Sequence, residues 1–431
     1  MRGVVAPDRA TFPHVRPRRA LLLATSAVLC LLATAPAAVA ADVFNGRIAF
    51  TSFRVDPPAG YERSGDIFTV NPDGTDTRQL TTNPEADRQP DWSPDGRDIA
   101  YTISKPGERV NYEVARMTAS GTGHRQLTMT PQGEGSSQPA WLPGGSGILY
   151  RRSGSGLISS IWQMGPLGED PHLRLAPPQS VLYPSASPDM RRLIFTVIRS
   201  PTGDTDRAII AAPADDSRLA TLFDVPGAYD SAPAWSPDGS KIAFESNADV
   251  GGGNPEGDME VWTMSADGSG PTQLTHNALH DEGPAWSPDG RLLAYTSGPD
   301  DAHGDTHVMT AAGEHLRQLT FYEGLDESPD WQPIPAPRTD RTCGDVATTG
   351  PGAHDVRAAG GGLACRRALA LARRWAKQPG RARISGFAAR VTDYGGTQRV
   401  VLARHGGKRR KLVAFLYEPP APARATRSRP R

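Results

Sequence analysis

Cysteine is nearly missing from this sequence: Cys30, Cys343 and Cys365 are the three in 431 residues, too few for a fold built on a disulfide framework. Long apolar runs are missing as well. The best candidate, Ala20 to Leu32, falls short of the roughly 20 apolar residues that a transmembrane helix needs. A G-x-S-x-G nucleophile elbow, an EF-hand spacing and a phosphate-cradling glycine loop are all absent, which removes the sequence signatures of a serine hydrolase, a calcium loop and a nucleotide site. Basic residues are scarce in the middle of the chain. Residues 41–334 hold 21 Lys+Arg against 41 Asp+Glu, a net of −20. Residues 335–431 hold 21 against 5, a net of +16, and the first forty supply the remaining +4. The formal net charge of zero therefore hides two parts of opposite sign.

Residues 1–40 read as a secretory signal peptide. Arg16, Arg18 and Arg19 precede the apolar run, and Ala38-Val39-Ala40 makes a small-residue cleavage site before Ala41. The Arg18-Arg19 pair leaves both general and twin-arginine export open, while bulky Leu29 disfavours lipid attachment at Cys30. Such a chain is expected to be secreted or periplasmic, or associated with the envelope, with no transmembrane segment after cleavage. Cys343 and Cys365 are then expected to pair in a disulfide.

What the sequence has in plenty is repetition. DWSPDGRDIAYT begins at Asp91, AWSPDGSKIAFES at Ala234 and AWSPDGRLLAYTS at Ala285. Aligned on the tryptophan, Trp92, Trp141, Ala186, Trp235, Trp286 and Trp331 start six copies, spaced 49, 45, 49, 51 and 45 residues apart. That period suits a propeller blade of four strands. In each copy Pro-Asp-Gly makes a tight turn and an alternating strand follows, as in Ile99/Tyr101 and Ile242/Phe244. A variable loop leads to a second strand such as DIFTV (Asp66–Val70) or EVWTM (Glu260–Met264), an Asp-Gly turn, and a short RQLT or TQLT strand. The first copy begins mid-pattern at Asn45, and Trp331 supplies the missing inner strand at the far end, so the two ends are expected to complete one blade. Gly144 and Met190 depart from the turn pattern, and Met190, replacing the turn glycine, should force a different or strained turn.

These motifs resemble the TolB-like six-bladed β-propeller over about residues 44–334. The fold expected is all-β: a six-bladed propeller of four-stranded blades over 41–334, followed by a small α+β module. The resemblance implies a partner-binding protein of the cell envelope, although no α/β domain precedes the propeller here and a basic module follows it. Similar propellers precede hydrolase domains in the prolyl oligopeptidase family; with 97 residues after Ile334 and no G-x-S-x-G, no such domain is expected here.

Long irregular connections fall on one face of such a propeller, and functional groups tend to sit on loops held by a rigid scaffold. The blade-to-blade connections carry Glu85, Asp87, Asp230, Asp281, Glu282, Asp326 and Glu327, each just before an inner strand. They are expected to ring one mouth of the channel, either as a solvated acidic rim or as a face for a basic protein or cell-envelope partner. No cofactor, catalytic set or nucleic-acid partner is expected. The alternative is a metal-dependent hydrolase or lyase at the channel mouth, with His276, His280 and His303 as candidate zinc or manganese ligands.

Residues 335–342 read as a proline-rich linker, 343–417 as the small basic α+β module, and 418–431 as a disordered basic tail. Within the module, 363–377 has helical spacing and ISGFAARV, RVVLAR and KLVAFLY read as strands. Its arginines point to solubility or to a grip on an anionic surface polymer. The expected function is an exported, non-enzymatic binding or scaffold protein.

Overall fold

The computed structural model describes residues 43–54, 65–83, 85–104, 112–154, 158–199, 206–214, 218–300 and 302–335. Towards the C-terminus it describes strands between 341 and 417 and the helical residues 370–372. The expected signal peptide, Cys343, Cys365 and the tail from 418 lie outside the described residues.

The repeated turns cut the chain into short strands that pair antiparallel. β1 (Val43–Ser52), β2 (Asp66–Val70) and β3 (Arg78–Gln79) come first. The second blade is β4 (Ala86–Trp92), β5 (Asp98–Ser104), β6 (Tyr112–Thr118) and β7 (Arg125–Gln126). The third is β8 (Gly135–Trp141), β9 (Ile148–Ser153), β10 (Ser159–Met164) and β11 (His172–Leu175). The fourth is β12 (Ser180–Ala186), β13 (Arg192–Ile198), β14 (Arg207–Pro213) and β15 (Ala220–Phe223). The fifth is β16 (Ser231–Trp235), β17 (Lys241–Ser246), β18 (Glu260–Ser265) and β19 (Thr272–Gln273). The sixth is β20 (His280–Trp286), β21 (Leu292–Asp300), β22 (His303–Thr310) and β23 (Arg317–Gln318). β24 (Asp326–Pro335) then returns to β1, pairing Trp331 with Ile48 and Pro335 with Val43, so the first blade reads β24-β1-β2-β3. Ring closure by the two chain ends is thus as the half-repeats implied, and it gives β1 a partner on its inner side.

The W-S-P-D-G residues are architecture. Ser93, Ser236 and Ser287 each donate a hydroxyl hydrogen bond to the turn aspartate two residues on, at 2.7–2.8 Å, and each accepts the N–H of the residue that opens the next strand. Trp92 packs with Ala49, Ile67, Ile99 and Tyr101, filling the seam between the first and second blades. Met190 keeps the same turn as its glycine counterparts. Its φ is 61°, beside 67°, 70° and 71° at Gly96, Gly239 and Gly290, and its N–H donates to the Ser187 carbonyl at 2.8 Å. The turn is strained, not different.

A further regularity lies in the inner strands. Three residues before each alignment position the backbone turns left-handed, at Gln89, Gln138, Tyr183, Ala232, Gly283 and Ser328, with φ between 47° and 60°. A register shift accompanies each of these sites. The following residue is always proline: Pro90, Pro139, Pro184, Pro233, Pro284 and Pro329. An inner strand is the free edge of its sheet, and a bulged proline there offers no N–H to another strand.

The C-terminal part is an antiparallel sheet of β25 (Arg341–Thr342), β26 (Ala353–Ala359), β27 (Arg383–Ile384), β28 (Phe387–Tyr394), β29 (Thr397–Gly406) and β30 (Arg409–Tyr417), in the order β25-β26-β30-β29-β28-β27. The three expected strands correspond to β28, β29 and β30. Of the expected helix over 363–377, residues 370–372 are described and helical. The expected linker over 335–342 is shorter than read: Pro335 still belongs to β24, because the ladder with β1 runs that far, and Arg341–Thr342 already pair with Arg357 and Ala358.

Candidate functional site

Of the seven acidic residues expected to ring the mouth, Asp87, Asp230, Asp281 and Asp326 are fully buried, so they correct the picture of one exposed acidic face. All four stand five residues before their tryptophan and tie the incoming loop to the inner strand. Asn83 donates to Asp87 Oδ2 at 2.7 Å, and Asn277 repeats the contact with Asp281 Oδ2 at 2.7 Å. Ser246 and the Val225 N–H donate to Asp230 at 2.5 and 3.0 Å. Arg54, stacked among Phe50, Phe68 and Tyr322, forms an ion pair with Asp326. Burial pushes the Asp87 carboxyl up to about 7 and Asp230 up to about 6, and it raises Asp281 and Asp326 too.

Glu85, Glu282 and Glu327 are partly exposed. Glu282 and Glu327 meet in a cavity of about 360 Å³ together with Glu245, Tyr183, Tyr229 and His280. The lining draws on the ends of β17 and the connection after it, and on the starts of β20 and β24, so both long connections share this face, as expected from the turn lengths. Glu245 was not readable as a site residue. Its counterparts in the strand pairing are Thr51, Thr102, Thr196 and Thr296, with Arg151 in the third blade. Thr51 and Thr102 accept the N–H of the left-handed Gln89 and Gln138 at 3.0 Å, and Glu245 does the same for Gly283 at 2.7 Å. A longer side chain in that role brings a carboxylate to the mouth. Burial raises Glu245 and Glu327, with Arg207 and Arg88 respectively opposing the shift. Arg207 stacks on Tyr229, its guanidinium 3.5 Å from the ring centroid, and donates to Ser231 at 3.2 Å.

Below the mouth the six left-handed residues and their prolines line a shaft of about 180 Å³. Asp91 and Asp330 line it too, on the adjacent strands β4 and β24. Burial and their mutual repulsion raise Asp91, and burial raises Asp330. The signal for this shaft was in the sequence as a proline two residues before every alignment position.

The candidate histidines do not assemble. His280 lines the mouth, with Nδ1 3.9 Å from Glu282 Oε1; His276 is exposed, and His303 pairs with Asp300 at 2.7 Å on an exposed turn. Among the described residues no three His, Cys, Asp or Glu side chains are placed to hold a metal ion. Nor is any described helix long and apolar enough to cross a membrane.

Comparison with known proteins agrees with this geometry. The TolB beta propeller domain (PD40) family matches residues 178–335. The chain is 35% identical over 98 residues to the Tol-Pal system protein TolB of Desulfosudis oleivorans, covering 22% of this chain and 19% of that protein. It is 26% identical over 299 residues to an uncharacterized protein of Agrobacterium fabrum, covering 64% and 91%. An uncharacterized peptidase of Bacillus subtilis matches at 28% over 101 residues, 23% of this chain and 15% of that one. The chain thus spans about a fifth or less of the TolB and peptidase relatives. Among solved structures, TolB from Acinetobacter baumannii superposes with a TM-score of 0.54 at 22% identity, over 67% of this chain and 66% of that one, which establishes likeness of fold. Blade count, strand order, ring closure and repeat sequence agree: residues 43–335 form a TolB-like six-bladed β-propeller.

Proposed function

We propose that this chain is an exported, non-enzymatic binding or scaffold protein whose propeller takes hold of a protein partner by a basic surface. The observation that carries this reading is the cavity at the channel mouth, walled by Glu245, Glu282 and Glu327 on the face built from the long connections. Three carboxylates in one concavity favour cationic groups and repel anions. Tyr183 and Tyr229 add aromatic area of the kind that anchors interfaces. A TolB relative named for the Tol-Pal system shares these repeats, which fits a role at the cell envelope.

Crosslinking pull-down from the native host with the full chain tests this. A partner captured by the parent and lost in the Glu245→Gln, Glu282→Gln, Glu327→Gln triple variant is expected, since glutamine still accepts the Gly283 N–H but carries no charge. Equal capture by both proteins overturns the mouth as the binding face.

A further inference from the structure

Tyr183, Ala232, Gly283 and Ser328 line both the mouth cavity and the shaft, so the two spaces adjoin. Their chemistry changes with depth. Glu245, Glu282 and Glu327 stand at the mouth, the six prolines form an apolar ring below it, and at the next residue along the inner strands Asp91 and Asp330 share a level with Ala140, Ser185, Ala234 and Ala285. Among the described residues no lysine, arginine or histidine lines the shaft. We infer that this graded passage binds an elongated organic cation: an alkyl chain carrying ammonium groups that reach the acidic levels while its methylenes lie along the prolines.

The spacing fits. Glu327 and Asp330 lie three residues apart on β24, which in an extended strand is about 10 Å and somewhat less across the bulge at Ser328. A linear diamine or triamine spans such a gap. A bare metal ion fits poorly, because among the described residues no three His, Cys, Asp or Glu side chains are placed to hold one, and it would need several oxygens within about 2.6 Å. An anion is repelled at both levels. The methylenes gain from leaving water against apolar walls, and each ammonium gains a charge-assisted hydrogen bond to a carboxylate. Burial and mutual repulsion favour a proton on the Asp91–Asp330 pair, and an arriving ammonium takes that proton's place. The same chemistry is offered by a free polyamine and by a lysine side chain of a protein.

Titration calorimetry on the isolated full chain separates these. Cadaverine and spermidine are titrated first, then a lysine-containing peptide, with 1,5-pentanediol as the uncharged control of equal length. Saturable amine binding is expected, with none for the diol. Asp91→Asn and Asp330→Asn, which keep an acceptor for the Trp141 and Trp92 N–H groups, should each weaken it about tenfold, with the melting temperature confirming the fold. Binding of the peptide but not the free amines assigns the site to a partner's side chain. No saturable binding of either up to millimolar concentration, or equal binding by the double Asn variant, overturns the inference. The measurement needs no protein partner, so its failure and the failure of partner capture are read separately.

Discussion

Asp330 Oδ2 accepts the Trp92 N–H at 2.6 Å, and one blade further Asp91 Oδ2 accepts the Trp141 N–H at 2.6 Å. Each aspartate belongs to one blade and caps the inner strand of the next. Asp330 lies on the strand that closes the ring, so its contact fastens the last part of the propeller to the second blade. Asp330→Ala leaves the Trp92 N–H without its acceptor at a cost of about 1–3 kcal/mol. Thermal unfolding should show a lower midpoint for Asp330→Ala and a smaller change for Asp330→Asn. Deleting residues 327–334 should abolish cooperative unfolding; an unchanged midpoint in the deletion contradicts closure through β24.

Stability should be greatest in mild acid. Burial raises Asp87 and Glu260 to about 7 and Asp230 to about 6, against unfolded values of 3.8 for aspartate and 4.5 for glutamate. Between pH 4 and 7 the folded chain therefore binds more protons than the unfolded chain. Stability from these groups is complete below their unfolded values and declines as pH rises through 6 to 7. The midpoint should be higher at pH 5 than at pH 8, and Asp87→Asn should flatten the slope. A midpoint that rises steadily from pH 5 to 8 would falsify this account.

Met190→Gly should stabilise the fourth blade. A non-glycine residue at left-handed φ costs about 1–2 kcal/mol, and glycine gives part of that back through a freer unfolded chain. Met190 is 40% exposed, so little packing is lost. A net gain of about 0.5–1 kcal/mol, or about 1–3 °C in Tm, is expected. A lower Tm would mean that the methionine packs to more effect than its φ strains the turn.

Much of the propeller was legible because each blade repeats both its turn chemistry and its alternating strand. Blade number and closure follow from six copies and two half-repeats. The site was less legible because neighbouring acidic residues meet opposite environments. Asp281 is sealed beneath Asn277 while Glu282, one residue on, faces the mouth, since successive strand residues point to opposite sides. An asparagine four residues before the aspartate, at Asn83 and Asn277, marks two of the buried positions. Glu245 could not be read ahead, since its role appears only when strand pairing aligns it with the threonines of other blades.

The charge split leads to the last prediction. Residues 335–431 carry a net +16; Arg409, Arg410 and Lys411 open β30, and Lys408 precedes them in the sequence. Such a concentration of one sign attracts anionic surfaces, while exposed charges are screened beyond about 8 Å at physiological ionic strength. Only close, multivalent contact then survives. The full chain should be retained on anionic vesicles or anionic wall polymer, with retention falling steeply as salt rises. Replacing Lys408, Arg409, Arg410 and Lys411 together by serine should weaken retention severalfold while leaving thermal unfolding of the propeller unchanged. The acidic mouth variants Glu282→Gln and Glu327→Gln should not weaken it, because the surface is anionic. Retention that ignores salt, or that survives the fourfold serine replacement undiminished, would show that the basic strand does not tether the protein.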